Sequence, residues 1–348
     1  MLFAGVTVMA CAGSRPPLPP PEASPTLVAQ VSGTTQLLQA VSPVNELVAW
    51  VSGHGGTYAR TIDGGATWES GMVPDGDTLQ FRDVHAVDAS TAYLLGAGPA
   101  DMSRIYKTTD AGTTWELQWV NAHPEGFYDC IDFWDADRGA VYGDEVDGHL
   151  SLLTTSDGGA TWTPVPSERL PAAQDGEGGF AASGLCLITG PDGRGWIATG
   201  AADTARVLMT EDYGHSWTAV NSPIPGGSAA GHTAVSFRGA THGIVLGGNI
   251  AEADGRTDNV AVSHDGGSTW TLAGRPSFTG AFYGGTYVPG VDASWVVGVG
   301  PGGADYSVDN GATWMSLDTL TYWAVGFATP TAGWLVGPGG RITKVAMY

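Results

Sequence analysis

The octet TIDGGATW at Thr61–Trp68 decides the fold, because five variants of it follow. They are TTDAGTTW at Thr108–Trp115, TSDGGATW at Thr155–Trp162, TEDYGHSW at Thr210–Trp217, SHDGGSTW at Ser263–Trp270 and SVDNGATW at Ser307–Trp314. All fit (S/T)-x-D-x-G-x-(S/T)-W. Their aspartates, Asp63, Asp110, Asp157, Asp212, Asp265 and Asp309, stand 47, 47, 55, 53 and 44 residues apart. A near-constant period of this length marks a repeat architecture built from one supersecondary unit per repeat. The residue types explain the motif: Asp and Ser/Thr side chains bond local backbone N–H groups in tight turns. Gly supplies positive φ, and Trp brings a large ring to bury between neighbouring units. Trp68, Trp115, Trp162, Trp217, Trp270 and Trp314 are therefore expected to be packing wedges, and the aspartates turn-formers rather than catalysts.

Upstream of each octet runs an apolar strand, a short turn, a small-aromatic-aliphatic-x-Gly segment, a Gly-rich loop and another strand. VDASTAYLLG (Val87–Gly96), VDASWVVG (Val291–Gly298) and GFATPTAGWLVG (Gly326–Gly337) are examples. Short strands with Gly-rich turns at this period indicate four-stranded blades around an axis, and no amphipathic helical stretch interrupts them. The expected fold is all-β, a seven-bladed propeller spanning residues 26–348. Six octets define six blades. The segment after the last octet supplies three strands of a seventh, and TLVAQVSG (Thr26–Gly33) is predicted to supply its missing outer strand. Closure of that kind leaves no free sheet edge.

Composition narrows the function classes. The chain has 53 Gly among 348 residues and only 14% charged residues, with 35 acids against 14 bases for a net charge of −21. Two of the bases are lysines, Lys107 and Lys344, and the arginines are scattered singly. Phosphate backbones are bound by clustered Lys and Arg, so a nucleic-acid partner is excluded.

The first eleven residues, MLFAGVTVMAC, are apolar or small. They are too few to span a bilayer, which takes about 20 residues, and they read as a signal segment. Val8-Met9-Ala10-Cys11 resembles a bacterial lipobox, which implies lipidation of Cys11. Residues 12–25 are Pro-rich and suit a spacer. The expectation is an exported, monomeric lipoprotein that touches a membrane through its anchor alone. Cys130 and Cys186 lie in apolar runs and read as small buried hydrophobes. An oxidising compartment would permit a disulfide between them; the repeat alignment sets them two positions out of register, which argues against pairing and leaves it open.

The octets resemble Asp-boxes, also called bacterial neuraminidase repeats, which form a hairpin between the two outer strands of propeller blades. GWLVGPGGRITK in blade seven and AWVSGHGGTYARTIDGGATW in blade one are similar to the photosystem II stability/assembly factor propellers and their exported bacterial relatives. That resemblance implies a seven-bladed binding scaffold. Members in photosynthetic cells bind an assembling membrane-protein subunit through basic surface residues, whereas this surface is acidic. The octets are also shared with sialidases, which use three converging arginines with a Tyr–Glu pair and an acidic Asp. Arg82 and Arg238 are available here, but no third Arg occupies an equivalent position and the usual Arg-Ile-Pro segment is missing. A sialidase-like glycoside hydrolase or a carbohydrate-binding propeller is the alternative to a non-enzymatic scaffold.

Aligning the inner strands puts Arg82, Asp129, Ser183, Thr233, Tyr283 and Trp323 at their first positions, preceded by Phe81, Tyr128, Ala182, His232, Phe282 and Tyr322. Aromatic rings with a few polar groups suit sugar or peptide recognition. Arg82, Tyr128, Asp129, His232, Tyr283, Tyr322 and Trp323 are therefore the candidate ligand-binding residues at a channel rim, for a protein or glycan of the cell envelope. Two long loops, Gly143–Leu150 and Gly247–Asn259, hold Asp144, Glu145, Asp147, Asp254 and Asp258. Neither follows the calcium-loop pattern D-x-(D/N)-x-(D/N)-G-x5-E, and both read as solvated acidic loops. The histidines lack zinc spacing, and no nucleophile elbow, P-loop or dinucleotide fingerprint occurs. No metal, cofactor or catalytic residue is expected.

Overall fold

In the structure, a computed structural model that describes residues 24–291 and 294–348, each octet closes into a hydrogen-bond circuit. Thr61 Oγ1 donates to Asp63 Oδ1 (2.8 Å) and accepts the Gly65 N–H (2.8 Å). Asp63 also accepts the N–H (2.9 Å) and the hydroxyl (2.6 Å) of Thr67. The same bonds recur around Asp110, Asp157, Asp212, Asp265 and Asp309. Gly65 has φ +86°, a left-handed conformation that a Cβ would strain, which explains the fixed glycine at that place in the octet. Bonds donated to a carboxylate favour its charged form. The Thr67 hydroxyl and N–H accordingly hold Asp63 down to about 2, and Thr269 does the same for Asp265.

Seven four-stranded antiparallel sheets follow one another around an axis. Blade 1 runs Leu38–Pro43, Ala49–Gly53, Thr57–Thr61 and Glu69–Met72, from the axis outward, and blades 2, 3, 5 and 6 begin at Phe81, Tyr128, Ala230 and Gly284. Blade 4 has an inner strand of only three residues, Leu187–Thr189. Octet residues bond to the turn between the first two strands, as in Ala111 N–H to Ser90 O (2.9 Å) and Gly158 N–H to Asp137 O (2.8 Å). Those turns and the octets therefore share one face, and the loops leading into the inner strands form the opposite, rim face.

Seven buried clusters fill the seven blade junctions. The octet Trp is the wedge at six of them. Trp68 of blade 1 meets Trp334 of blade 7 edge-on at 6.4 Å, and Trp115 of blade 2 meets Trp50 of blade 1 at 6.2 Å. Such aromatic pairs contribute about 0.5–1.5 kcal/mol beyond the area they bury. At the junction of blades 6 and 7, where no octet Trp is available, Tyr322, Met347 and Leu27 fill the space.

Blade 7 is built from both ends of the described chain. Ala324–Thr329, Ala332–Gly337 and Arg341–Ala346 are joined by Thr26–Val31, which pairs antiparallel from Thr26↔Ala346 to Val31↔Arg341. The predicted clasp is present. Gln30 of that strand also accepts the Trp68 indole N–H at 3.0 Å, which ties the clasp to blade 1.

The structure answers what the cysteine spacing leaves open. Cys130 and Cys186 form a disulfide with Cα atoms 5.9 Å apart, linking blade 3 to blade 4. The two-position offset in the repeat alignment does not keep them apart, because the chain entering blade 4 leaves the repeat path, as described below. Cys11 and the Pro-rich stretch as far as residue 23 lie outside the described residues. Among the described residues, no helix is long and apolar enough to cross a membrane.

Candidate functional site

The rim is shaped by β-bulges. Leu38 pairs with Gly53 and Ala40 with Ser52, leaving Gln39 as an extra residue. Arg82, Asp129 and Thr233 are the extra residues in the inner strands of blades 2, 3 and 5. A bulge re-aims a side chain out of the alternating pattern, and here it recurs at equivalent places around the axis. The sequence alignment reached Arg82, Asp129 and Thr233 but omitted Gln39.

The candidate residues divide by exposure. Arg82, Tyr283 and Trp323 are partly exposed, and the structure brings Tyr283 and Trp323 together edge-on at 4.8 Å. The guanidinium of Arg82 is held by Gln80 Oε1, at 3.0 Å from Nε and 2.6 Å from Nη2, beside the Phe127 ring. Tyr128, Asp129, His232 and Tyr322 are buried in the wall. Tyr128 packs edge-on against Trp119 at 4.9 Å. The Tyr322 hydroxyl bonds to Asp318 (2.7 Å) and Thr343 (3.0 Å), and burial pushes its pKa up to about 12.

The axis is not an open channel. Instead of starting a long inner strand, the segment Gly178–Leu185 crosses it, and its contacts name five other blades. Gln39 Nε2 of blade 1 donates to Ala181 O (2.8 Å). Gly184 lies so close to Asp83 of blade 2 that a Cβ would fall 2.1 Å from Oδ1. Gly179 N–H reaches Asp144 Oδ1 of blade 3 (3.1 Å), and Val235 N–H of blade 5 donates to Leu185 O (2.9 Å). Ser183 lies beside Gly284 of blade 6. The sequence alignment had set Ser183 at the rim as the start of an inner strand, and the structure sets it inside.

Buried charge holds this crossing segment. Asp129, 1% exposed, and Asp144 interact side chain to side chain, and the Gly179 N–H lies against both. Burial, and then the Asp144 charge, raises the Asp129 pKa well above the carboxylate range. Burial likewise pushes Asp144 up to about 6. Two carboxyls this close and this dry cannot both ionise cheaply. Arg82 opposes the shift of Asp129. Beside the pair, Glu177 is fully buried and salt-bridged to Arg206 through Nε (2.8 Å) and Nη2, with Thr199 Oγ1 (2.8 Å) and Gln174 N–H (3.0 Å) completing its shell. His232 bonds through Nδ1 to Arg206 O (3.2 Å), and desolvation lowers its pKa to about 4. It is thus a neutral imidazole with Nδ1–H donating.

No sequence spacing announces Glu177, Arg206 or the Asp129–Asp144 contact, since each pair is assembled from different strands. The acids of the Gly143–Leu150 loop are only partly solvated: Asp144 faces inward, while Asp147 is exposed. Among the described residues, no group of three or more His, Cys, Asp or Glu is placed to hold a metal ion. What the rim face offers is an aromatic pair and an arginine on a rigid ring, which suits recognition of a peptide or sugar surface.

No protein-family model and no curated protein matches the sequence. Solved structures do match in fold. One described as "YCF48 bound to D1 peptide" aligns with a TM-score of 0.64 at 18% identity, covering 93% of this chain and 97% of that one. YCF48 from Cyanidioschyzon merolae gives a TM-score of 0.65 at 16% identity, covering 92% and 98%. The WD40 β-propeller domain of Doa1 gives 0.58 at 10% identity, covering 93% and 98%. At these identities the likeness is one of fold: along nearly its whole described length, the chain is similar to the YCF48 propellers and shares their seven-bladed architecture.

Proposed function

We propose that this protein is an exported, lipid-anchored propeller that binds a protein partner as a non-enzymatic assembly scaffold. The observation that carries the reading is the end-to-end fold likeness to a propeller solved with a peptide bound. The partly exposed Tyr283–Trp323 pair of blades 6 and 7, with Arg82 of blade 2 elsewhere on the same rim, gives that face the aromatic and arginine anchors that dominate protein recognition. The buried disulfide fits an oxidising compartment, which supports export, and Cys11 is the residue that would carry the anchor. The sialidase-like alternative needs accessible carboxylates, and Asp129 is sealed from solvent.

The test is capture from the native cell envelope with the full chain as bait, comparing the wild type with Trp323→Ala and Arg82→Ala. Recovery of one partner by the wild type, at least tenfold depleted with either variant, is the expected result. Turnover of chromogenic glycosides that is lost in a carboxylate variant would overturn the scaffold reading. Cys11→Ser is expected to move the protein from the membrane fraction to the soluble fraction, and an unmodified N-terminus by mass spectrometry would refute the anchor.

A further inference from the structure

On the octet face, the inner strands surround a cavity of about 190 Å³ that is closed at its inner end by Ser183, Gly184 and Leu185 of the crossing segment. Pockets for whole small molecules run to about 300–1,000 Å³, so this one has room for a side chain or for about six waters at ~30 Å³ each. Its walls are mixed, about half polar and half apolar, with Val41, Ile131, Val325 and Phe327 making up an apolar side. Six polar side chains share the lining: Ser42 and Thr286, whose hydroxyls bond the Ala86 N–H (3.0 Å) and Ser236 Oγ (3.1 Å), and His85, Asp83, Asp132 and Ser183. Asp132 lies against His85, whose Nδ1 is 2.8 Å from Asp132 Oδ1, while Asp132 Oδ2 accepts the Thr189 N–H at 2.6 Å. Both groups are about one-fifth exposed and so reachable from solvent. Asp83 is 4% exposed and accepts the N–H groups of Val84 (2.7 Å) and Ile131 (2.6 Å), one on each oxygen. Ser183 Oγ, 2% exposed, is buried with no hydrogen-bond partner among the described residues. No Lys or Arg among the described residues lines the cavity.

The geometry points to a well for an alkylammonium group, the side chain of a lysine presented by a partner protein. The apolar side suits the four-carbon stem. Each carboxylate oxygen already accepts one N–H and keeps a second lone pair, and the unpartnered hydroxyl offers a further acceptor. Asp83, Asp132 and Ser183 sit on three different elements, which matches three separately directed ammonium donors. A guanidinium asks instead for both oxygens of one carboxylate in a planar fork, whereas the acceptors here are spread over three different elements. A basic partner also complements a chain of net charge −21. Asp83 adds a chemical consequence. Burial raises its pKa well above the carboxylate range, with Asp132 adding to the shift, which favours the protonated form while the cavity is empty. The titratable groups facing it from the lining are Asp132 of blade 3 and His85 of its own strand; blades 1, 6 and 7 and the crossing segment bring none. An entering ammonium takes the place of that proton and expels it.

This inference rests on the protein-binding reading, and its test separates the two. The full-length protein is titrated with Nα-acetyl-lysine-N-methylamide, its Nε-acetylated form and the norleucine analogue, each in two buffers of different ionisation enthalpy. The lysine probe is expected to bind at least tenfold tighter than both neutral probes, to release a proton and to shift the His85 ring resonances. Asp132→Asn is expected to weaken it at least tenfold and Ser183→Ala several-fold; the serine variant, which removes one atom, covers the case in which Asp132→Asn does not fold. Equal binding of the lysine and norleucine probes, no binding at all, or unchanged affinity in the folded variants would overturn the proposal. A partner captured from the envelope that binds Asp132→Asn as tightly as wild type would remove the lysine well and leave the scaffold reading standing.

Discussion

Removing the clasp tests how the ring is closed. A chain starting at Thr34 lacks Thr26–Val31 and with it six register pairs on Arg341–Ala346. Bonded and non-bonded pairs alternate in an antiparallel ladder, with two bonds at each bonded pair, so about six backbone bonds are lost. At about 0.5–1.5 kcal/mol net each, the ladder contributes roughly 3–9 kcal/mol. The loss of Leu27 from the blade 6–7 cluster and of Gln30 from the Trp68 indole adds to this. Whole proteins are stable by about 5–15 kcal/mol, so the truncation removes a large share of the total. Each kcal/mol is worth about 2 °C or a little less at this size, which puts the expected fall in melting temperature on the order of 5–18 °C. The reference is a chain starting at Thr26, compared by differential scanning calorimetry and by light scattering for edge-driven aggregation. Equal melting of the two chains would show that the paired strand is not what closes the ring.

Two further outcomes are expected. Reducing the disulfide, or replacing Cys130 and Cys186 with alanine, opens a loop of 56 residues. The chain-entropy relation puts that at about 4 kcal/mol, read as a lower urea midpoint with an intact fold at zero denaturant; an unchanged midpoint would contradict it. The pH profile should combine contributions of opposite sign. Asp63 and Asp265, held to about 2, contribute stability that is present above pH 4 and lost as pH falls toward 2. Asp144, raised to about 6 beside Asp129, contributes stability that is full below pH 4 and lost as pH rises through 6. His232, lowered to about 4, works the other way over the same interval, because the unfolded ring takes up a proton there that the buried ring does not. The two nearly offset above pH 4, so Asp144→Asn should make melting temperature rise between pH 4 and 6 while leaving the acid limb in place; an unchanged profile in that variant would contradict the assignment.

The fold was legible because its determinants are local. Each octet carries its own turn bonds, its left-handed glycine and the Trp that wedges the junction with the preceding blade, so reading eight residues six times amounts to reading the ring. Closure was legible for a related reason: Thr26–Gly33 was the one strand left over for the one edge left open. The disulfide was not legible, because pairing was judged from the repeat register and blade 4 breaks that register. The rim was half legible. Periodicity located the bulged residues Arg82 and Asp129, but it carried no signal that Asp129 would be sealed beside Asp144 or that His232 would be packed neutral against Arg206 O.

The sign that blade 4 differs lay in the octet spacing itself. From Asp157 to Asp212 is 55 residues against 47 for the two preceding intervals, a surplus of eight. Surface loops absorb insertions easily, so a surplus in a repeat protein is ordinarily assigned to the outside. Here much of it lies inside, because the segment from Gly176 to Gly184 is glycine-rich and can cross a narrow axis where side chains would collide, as at Gly184 against Asp83. Its backbone polar groups then need partners, and blades 1, 3 and 5 provide them through Gln39, Asp144 and Val235. The crossing segment thus floors the octet-side cavity and turns its other side to the rim carboxyls. Asp129 and Asp144 meet that floor from the rim side, and Asp83 meets it from the octet side. The eight residues Gly178–Leu185 are therefore fixed by carboxyls on both of their sides, Asp144 through the Gly179 N–H and Asp83 against Gly184.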